Sequence, residues 1–153
     1  TLIMTLVTTI KDQIKDAMRA KDVVRLNVLR GISAAFTNEL IAKKRKPDEE
    51  LGDEDALAVI AREGKKRKDS IEQFSAAGRN DLAESETAEL KIIDEFLPAQ
   101  MERGEVEKIV KEKKEALGIT DKAQQGALMS AVMKDLKGKA DGKMVQEIVS
   151  KLL

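Results

Sequence analysis

The chain contains no cysteine, no histidine, no tryptophan and no tyrosine. Each absence closes a route. Without cysteine there is no disulfide framework, no thiolate nucleophile, and no indication of the redox state of the compartment. Without histidine there is no imidazole general base, and a structural zinc site lacks its usual ligands. Only carboxylates remain to hold a hard cation such as Mg²⁺. Aromatics amount to 2%, namely Phe36, Phe74 and Phe96. Stacking platforms for single-stranded nucleic acid need several exposed rings, which three phenylalanines at helical positions do not supply. Only two prolines interrupt the chain. The apolar start, Leu2 to Ile10, is broken by Thr5, Thr8 and Thr9, far short of the ~20 residues of a membrane span. With no basic stretch before it and Asp12 and Asp16 after it, this start makes a poor signal or transit peptide. The expectation is a cytoplasmic protein with no membrane partner.

What is present is charge and aliphatic bulk. Of 153 residues, 37% are charged, 28 basic against 28 acidic, and 42% are hydrophobic, enough for a real core. The charge is uneven. Residues 1–50 carry 10 basic and 7 acidic groups, residues 51–100 carry 7 and 12, and residues 101–153 carry 11 and 9. The acidic surplus therefore sits in the middle third.

Apolar residues recur at spacings of three and four, and period-two runs are missing, which predicts an all-α fold. Seven helices follow. The first runs from about Thr5 to Ala20 with Leu6, Ile10, Ile14, Ala17 and Met18 on one face. The second runs from near Asp22 to near Lys43 with Leu26, Leu29, Ile32, Ala35, Phe36 and Leu40. The basic run Lys43–Lys46 then meets a polar loop, Pro47 to Gly52. The third helix runs from Asp53 to about Ala77, where Gly78 suits a C′ position. The fourth takes Asn80 as its N-cap and is stopped by Pro98. The fifth spans about Glu102 to Leu117 and ends at Gly118. The sixth spans about Asp121 to Lys137, and the seventh is capped by Asp141. Pro98 to Gly104 is the natural boundary, giving an N-terminal helical bundle, residues 1–98, and a small three-helix subdomain, residues 99–153.

Several features could carry chemistry. In Lys65-Lys66-Arg67-Lys68 the four cations spread around the helix, because successive residues point about 100° apart. The pairs Glu63–Arg67, Lys65–Asp69 and Lys68–Glu72 have i,i+4 spacing, so a solvated, paired face stands beside a nucleic-acid patch. Arg67 lies inside the apolar stripe Leu57, Ile60, Gly64, Ile71 and Phe74. Glu86 lies between Leu82 and Leu90 on the next helix. An antiparallel hairpin brings the two together as a partly buried pair, suited to Arg's planar fork. It reads either as a register-fixing ion pair or as an acid/base or anion site.

The stretch Lys137-Gly138-Lys139-Ala140-Asp141-Gly142-Lys143 lies between two helices. Gly138 and Gly142 let backbone approach a ligand, and the helix N-terminus beyond offers N–H groups. Three lysines surround them, a pattern that fits phosphate. A plain glycine-capped turn is the alternative, since the Asp141 carboxylate suits the cap itself. Gly126, Ala127, Ser130 and Ala131, with Met129 and Met133 beside them, read as close core packing or as a Met-rich partner groove. Nucleotide-binding glycine loops and G-x-S-x-G elbows are absent, and no carboxylate cluster stands out at ligand spacing. No catalytic residue, metal ligand or cofactor site is assigned.

The chain resembles the GatB/YqeY family, specifically its stand-alone YqeY-like members. The resemblance rests on Lys66-Arg67-Lys68-Asp69-Ser70-Ile71 with Phe74, Gly78-Arg79 with Asp81-Leu82, Glu86 with Glu89-Leu90, and Phe96-Leu97-Pro98-Ala99-Gln100. In the last third it rests on Gly126, Met129, Met133 and Lys137 to Gly142. The sequence departs from the family pattern at Gly64, usually a larger apolar residue, at Phe96, commonly Tyr, and at Lys134, commonly Pro. The first departure is expected to weaken helix three locally. The resemblance implies an all-helical bundle followed by a small three-helix part. It also implies kinship with the tail of tRNA-dependent amidotransferases, which helps hold tRNA while a glutamine-derived amide is transferred. The family label thus carries glutamine-dependent carbon–nitrogen ligase activity, whereas the amidotransferase catalytic modules, including the Ser-rich amidase signature, are not in this chain. Two readings follow: a tRNA-binding accessory module, alone or with an amidotransferase, which would use Lys137, Gly138, Lys139, Gly142 and Lys143; or a helical adaptor for another protein.

Overall fold

A computed structural model describes residues 4–153, which form seven α-helices, one short 3₁₀ turn and no strand among the described residues. The helices are α1 (Leu6–Ala20), α2 (Val23–Ala42), α3 (Asp53–Ala76), α4 (Asn80–Asp94), α5 (Arg103–Leu117), α6 (Gln125–Leu136) and α7 (Gly142–Leu152). Leu2 and Ile3 of the apolar start lie outside the described residues. The chain divides into two compact units, one ending at Leu97 and the other spanning Pro98–Leu153.

The first unit is built of two helical hairpins. The Thr5 side chain accepts a hydrogen bond from Thr8 N at 3.1 Å, satisfying one of the orphan amides of α1. The next helix follows after only Lys21 and Asp22. Lys21 adopts φ +56°, and Asp22 caps α2 by accepting from Arg25 N at 3.1 Å. The α3–α4 turn uses Gly78 at φ +73°, a conformation that glycine adopts without steric cost.

Ile10, Leu29, Ile32, Phe36, Leu40, Val59, Ile60 and Ile93 are buried at the centre of this unit. Each such large side chain contributes about 1.5–3 kcal/mol through burial. Leu51, the one apolar residue of the 47–52 loop, is buried too and pins that loop to the core. Two features of α1 and α2 differ from the expected stripes. Met18 is 52% exposed, whereas Val7 and Val28 are buried, so the inward faces are rotated slightly from those inferred by spacing.

Helix α4 also differs. Asn80 is its first helical residue and Arg79 holds the N-cap position. Its regular part ends at Asp94, before Pro98. Phe96 N and Leu97 N bond to the carbonyls three residues back, Ile93 and Asp94, at 3.1 and 3.2 Å. The residue preceding a proline disfavours the α region, so the helix tightens before the ring is reached.

The second unit has its own core of Val106, Val110, Leu128, Val132, Val145 and Ile148, among others. Gly118 ends α5 at φ +64°. The expected long sixth helix is in two parts. The Asp121 carboxylate accepts from Ala123 N at 3.1 Å and starts a 3₁₀ turn, Lys122–Gln124, which runs into α6. Pro98 goes with this unit because the residues after it bond to the α6–α7 loop.

Candidate nucleic-acid interface

The loop from Lys137 to Asp141 is anchored from both sides. Gly138 takes φ +79°, so the chain reverses directly after α6. Lys139 N and Ala140 N both donate to the Leu136 carbonyl, at 2.9 and 3.2 Å, and the Ala140 side chain is buried. From outside the loop, Met101 N donates to the Lys139 carbonyl at 2.8 Å, and Gln100 Nε2 donates to the Gly138 carbonyl at 3.4 Å. Two stretches far apart in sequence, Pro98–Met101 and Lys137–Gly142, are thereby tied into one surface.

Helix α7 begins with its cap already filled. The Asp141 carboxylate accepts from Lys143 N at 3.3 Å, and the Asp141 carbonyl accepts from Val145 N at 3.0 Å. The backbone cradle that the glycines and the helix start suggest is therefore occupied in part by the protein's own carboxylate. Gly142 is not there for close approach, since a Cβ built on it would meet only Met133 Cε at 3.9 Å. Lys137 and Lys139 of the loop and Lys143 in the first turn of α7 are all exposed. Such a surface suits phosphates contacted by point charges rather than a phosphate wrapped by backbone amides.

Sequence reasoning missed the neighbours of this loop. Lys113 of α5 places Nζ 2.6 Å from Asp135 Oδ2 in the last turn of α6. The hydrogen bond and charge of Lys113, with further help from Lys134 and Lys139, hold the Asp135 carboxyl below the usual carboxylate range against a small desolvation cost. Lys113 alone contacts this carboxylate, while the charges of Lys134 and Lys139 act on it from farther off. The Lys113–Asp135 contact joins residues far apart in sequence, so no local spacing could have revealed it.

In the first unit, Arg67 Nη1 donates to Glu86 Oε2 at 2.9 Å, and the same nitrogen reaches Glu89. The guanidinium thus bridges two carboxylates rather than gripping one with its fork. Partial burial opposes the Arg67 charge. The Glu86 hydrogen bond and the charges of Glu89, Glu86 and Glu63 outweigh it and raise the pKa above the ordinary arginine value. Glu89 was absent from the inferred pair, although its i+3 spacing from Glu86 puts both on one face of α4. Along the basic run, Glu63 pairs with Lys66 at 3.2 Å rather than closing the expected i,i+4 contact with Arg67.

The small residues of α6 do not mark a close helix crossing. Gly126 and Ser130 are exposed, and a Cβ on Gly126 would meet nothing within 4 Å. Met129 and Met133 pack against the second core, the role Met fills in irregular gaps. Among the described residues, no group of three or more acidic side chains is placed to hold a metal ion, and no helix is long and apolar enough to cross a membrane.

The family model described as Yqey-like protein matches residues 7–153. A protein of Pyrenophora tritici-repentis named Altered inheritance of mitochondria protein 41, mitochondrial, is 34% identical over 145 residues, covering 89% of this chain and 76% of that protein. Proteins of the same name from Lachancea thermotolerans and Kluyveromyces lactis are 35% and 34% identical over 91 and 93 residues, or 60% and 61% of this chain. The aligned part spans about half of each of those two, 47% and 49%. With nearly the whole chain matched by that model, from the first turn of α1 to the last residue, the chain belongs to the YqeY-like family.

Proposed function

We propose that this chain is a tRNA-binding accessory module of the kind that serves glutamine-dependent carbon–nitrogen ligases, and that it holds structured RNA by its phosphates. The observation that carries this reading is the anchored α6–α7 loop, which presents Lys137, Lys139 and Lys143 around a helix start whose cap is already filled. Gly138 turns the chain into that loop, Gly142 opens the helix after it, and the lysines make the contacts. The chain works beside a catalytic partner, an amidotransferase or another ligase, which supplies the reaction. Recognition follows RNA shape, because no set of aromatic side chains is available to stack splayed bases. The compartment is one where tRNA is charged: the cytoplasm or, as in the names of the relatives, the mitochondrion.

Three phosphate contacts give a shallow salt dependence, a log–log slope of roughly −2 to −3. Gel-shift titrations with total tRNA at two salt concentrations test this. The Lys137→Ala, Lys139→Ala, Lys143→Ala triple variant is expected to bind more weakly with a flatter slope and an unchanged helical spectrum. Equal binding by both proteins, or binding by neither, refutes the assignment.

A second reading, a helical adaptor for another protein, is favoured by one feature. Around the α1–α2 turn, Met18, Val23 and Val24 are 52%, 64% and 49% exposed. A stoichiometric protein partner recovered after ribonuclease treatment would support it.

A further inference from the structure

A lysine of α5, Lys113, meets a carboxylate, Asp135, at the end of α6. Asp135 is exposed, accepts from Lys113 Nζ at 2.6 Å, and lies within electrostatic reach of Lys134 and Lys139. Its position is poor for the helix it sits on. Asp135 is the penultimate residue of α6, where the carbonyl end of the helix dipole disfavours a negative charge. The core does not need it either, since about half of its side chain is in solvent. Asp135 thus gains little from its own helix or the core; its one close contact is the ion pair that ties up a lysine beside the basic loop.

We infer that Asp135 caps the affinity of this surface for polyanions, by holding the Lys113 ammonium that would otherwise meet a phosphate and by repelling phosphates next to Lys139. Lys113 is then a latent contact of the same surface, and the shallow salt dependence expected from three lysines is a built-in setting. A module that must release its RNA after each cycle gains from such a ceiling. This inference rests on the RNA-binding reading above.

The test uses the full chain, total tRNA as probe, and three variants: Asp135→Asn, Lys113→Gln, and the two together. Asp135→Asn is expected to bind about fivefold to tenfold more tightly near 0.1 M salt and to steepen the log–log salt slope by roughly one, the signature of one added phosphate contact. Adding Lys113→Gln is expected to return the slope to that of the parent. A purely structural role for the pair would lower stability and leave the slope unchanged. If the parent binds through Lys137, Lys139 and Lys143 but Asp135→Asn matches it in affinity and slope, this inference falls and the RNA-binding reading stands. If the gain in slope survives in the double variant, Lys113 is not the released contact and the inference is refuted. If the parent binds no tRNA, both fall.

Discussion

Gly64 lies buried in the middle of α3, where helix propensity argues against glycine and the neighbouring packing leaves room for more. A Cβ built there would stand 3.5 Å from Ile93 Cγ2, and 3.8 Å from both Leu90 Cδ1 and Leu97 Cδ1. These are ordinary van der Waals separations, so a methyl group fits without displacing anything. Two gains add. Replacing an interior helical glycine by alanine is worth about 1 kcal/mol, mostly through the entropy of the unfolded chain. Burying one more methyl adds up to about 0.8 kcal/mol. Gly64→Ala should therefore stabilise the first unit by about 1–2 kcal/mol. At roughly 4–8 °C per kcal/mol for a domain of this size, its melting transition should rise by at least about 4 °C. Differential scanning calorimetry checks this directly. Gly64→Leu is the control: its outer carbons must enter space held by Ile93, Leu90 and Leu97, an overpacking that costs about 1–3 kcal/mol. A Gly64→Ala protein that melts at or below the parent would refute the argument, because the approach of α3 to α4 would then depend on a bare backbone.

The Arg67 bridge should behave between an exposed and a buried pair, since its side chain is 32% exposed and those of Glu86 and Glu89 are 21% and 24%. Arg67→Ala leaves two carboxylates facing one another and should cost about 1–3 kcal/mol, between the limits for surface and buried pairs. Urea denaturation of Arg67→Ala, Glu86→Ala and the double variant measures the coupling, and a coupling indistinguishable from zero removes the bridge as a stabilising contact. Asp135 supplies a pH dependence. Its carboxyl is held below its ordinary value in the folded state, so the Lys113 contact is intact at neutral pH and is lost as the pH falls through the lowered pKa. Carbon-detected NMR titration should show Asp135 titrating below the usual carboxylate range, and Lys113→Gln should move it back up. No upward movement would mean that Lys113 is not the cause.

The elements that could be read from sequence are those set by local chemistry. Spacings of three and four placed the helices. Gly78, Gly118 and Gly138 mark their ends, because each sits at positive φ where other residues are strained. Asp141 announces the start of α7 for a similar reason, a short acceptor within reach of the amide two residues on. What escaped depends on the fold. Met18 belongs to the apolar stripe by spacing, yet stands in solvent at the end of a hairpin, while Val7 and Val28 turn inward. The early end of α4 goes with Pro98, which disfavours the α region for Leu97 just before it. In the lysine loop the charges were legible. The filled α7 cap could be anticipated but not decided, and the bonds from Gln100 and Met101 were invisible to spacing. The Lys113–Asp135 contact needs α5 beside α6, which only the packed second unit provides.

The second core is small, and this ties ligand and fold together. Units of about 60 residues bury only about 60% of the surface their unfolded chain exposes, so their margin of stability is thin. The proposed RNA contacts all lie on this thin-margin unit. By linkage, any ligand that binds only the folded form adds RT ln(1 + [L]/Kd) to its stability, about 2.7 kcal/mol at a hundredfold excess over Kd. The converse is as important for reading mutants. Truncating Val145 or Leu128, both fully buried, would lower apparent affinity without touching a phosphate, simply by thinning the population able to bind. In such a unit, occupancy of the surface and integrity of the core are two views of a single equilibrium.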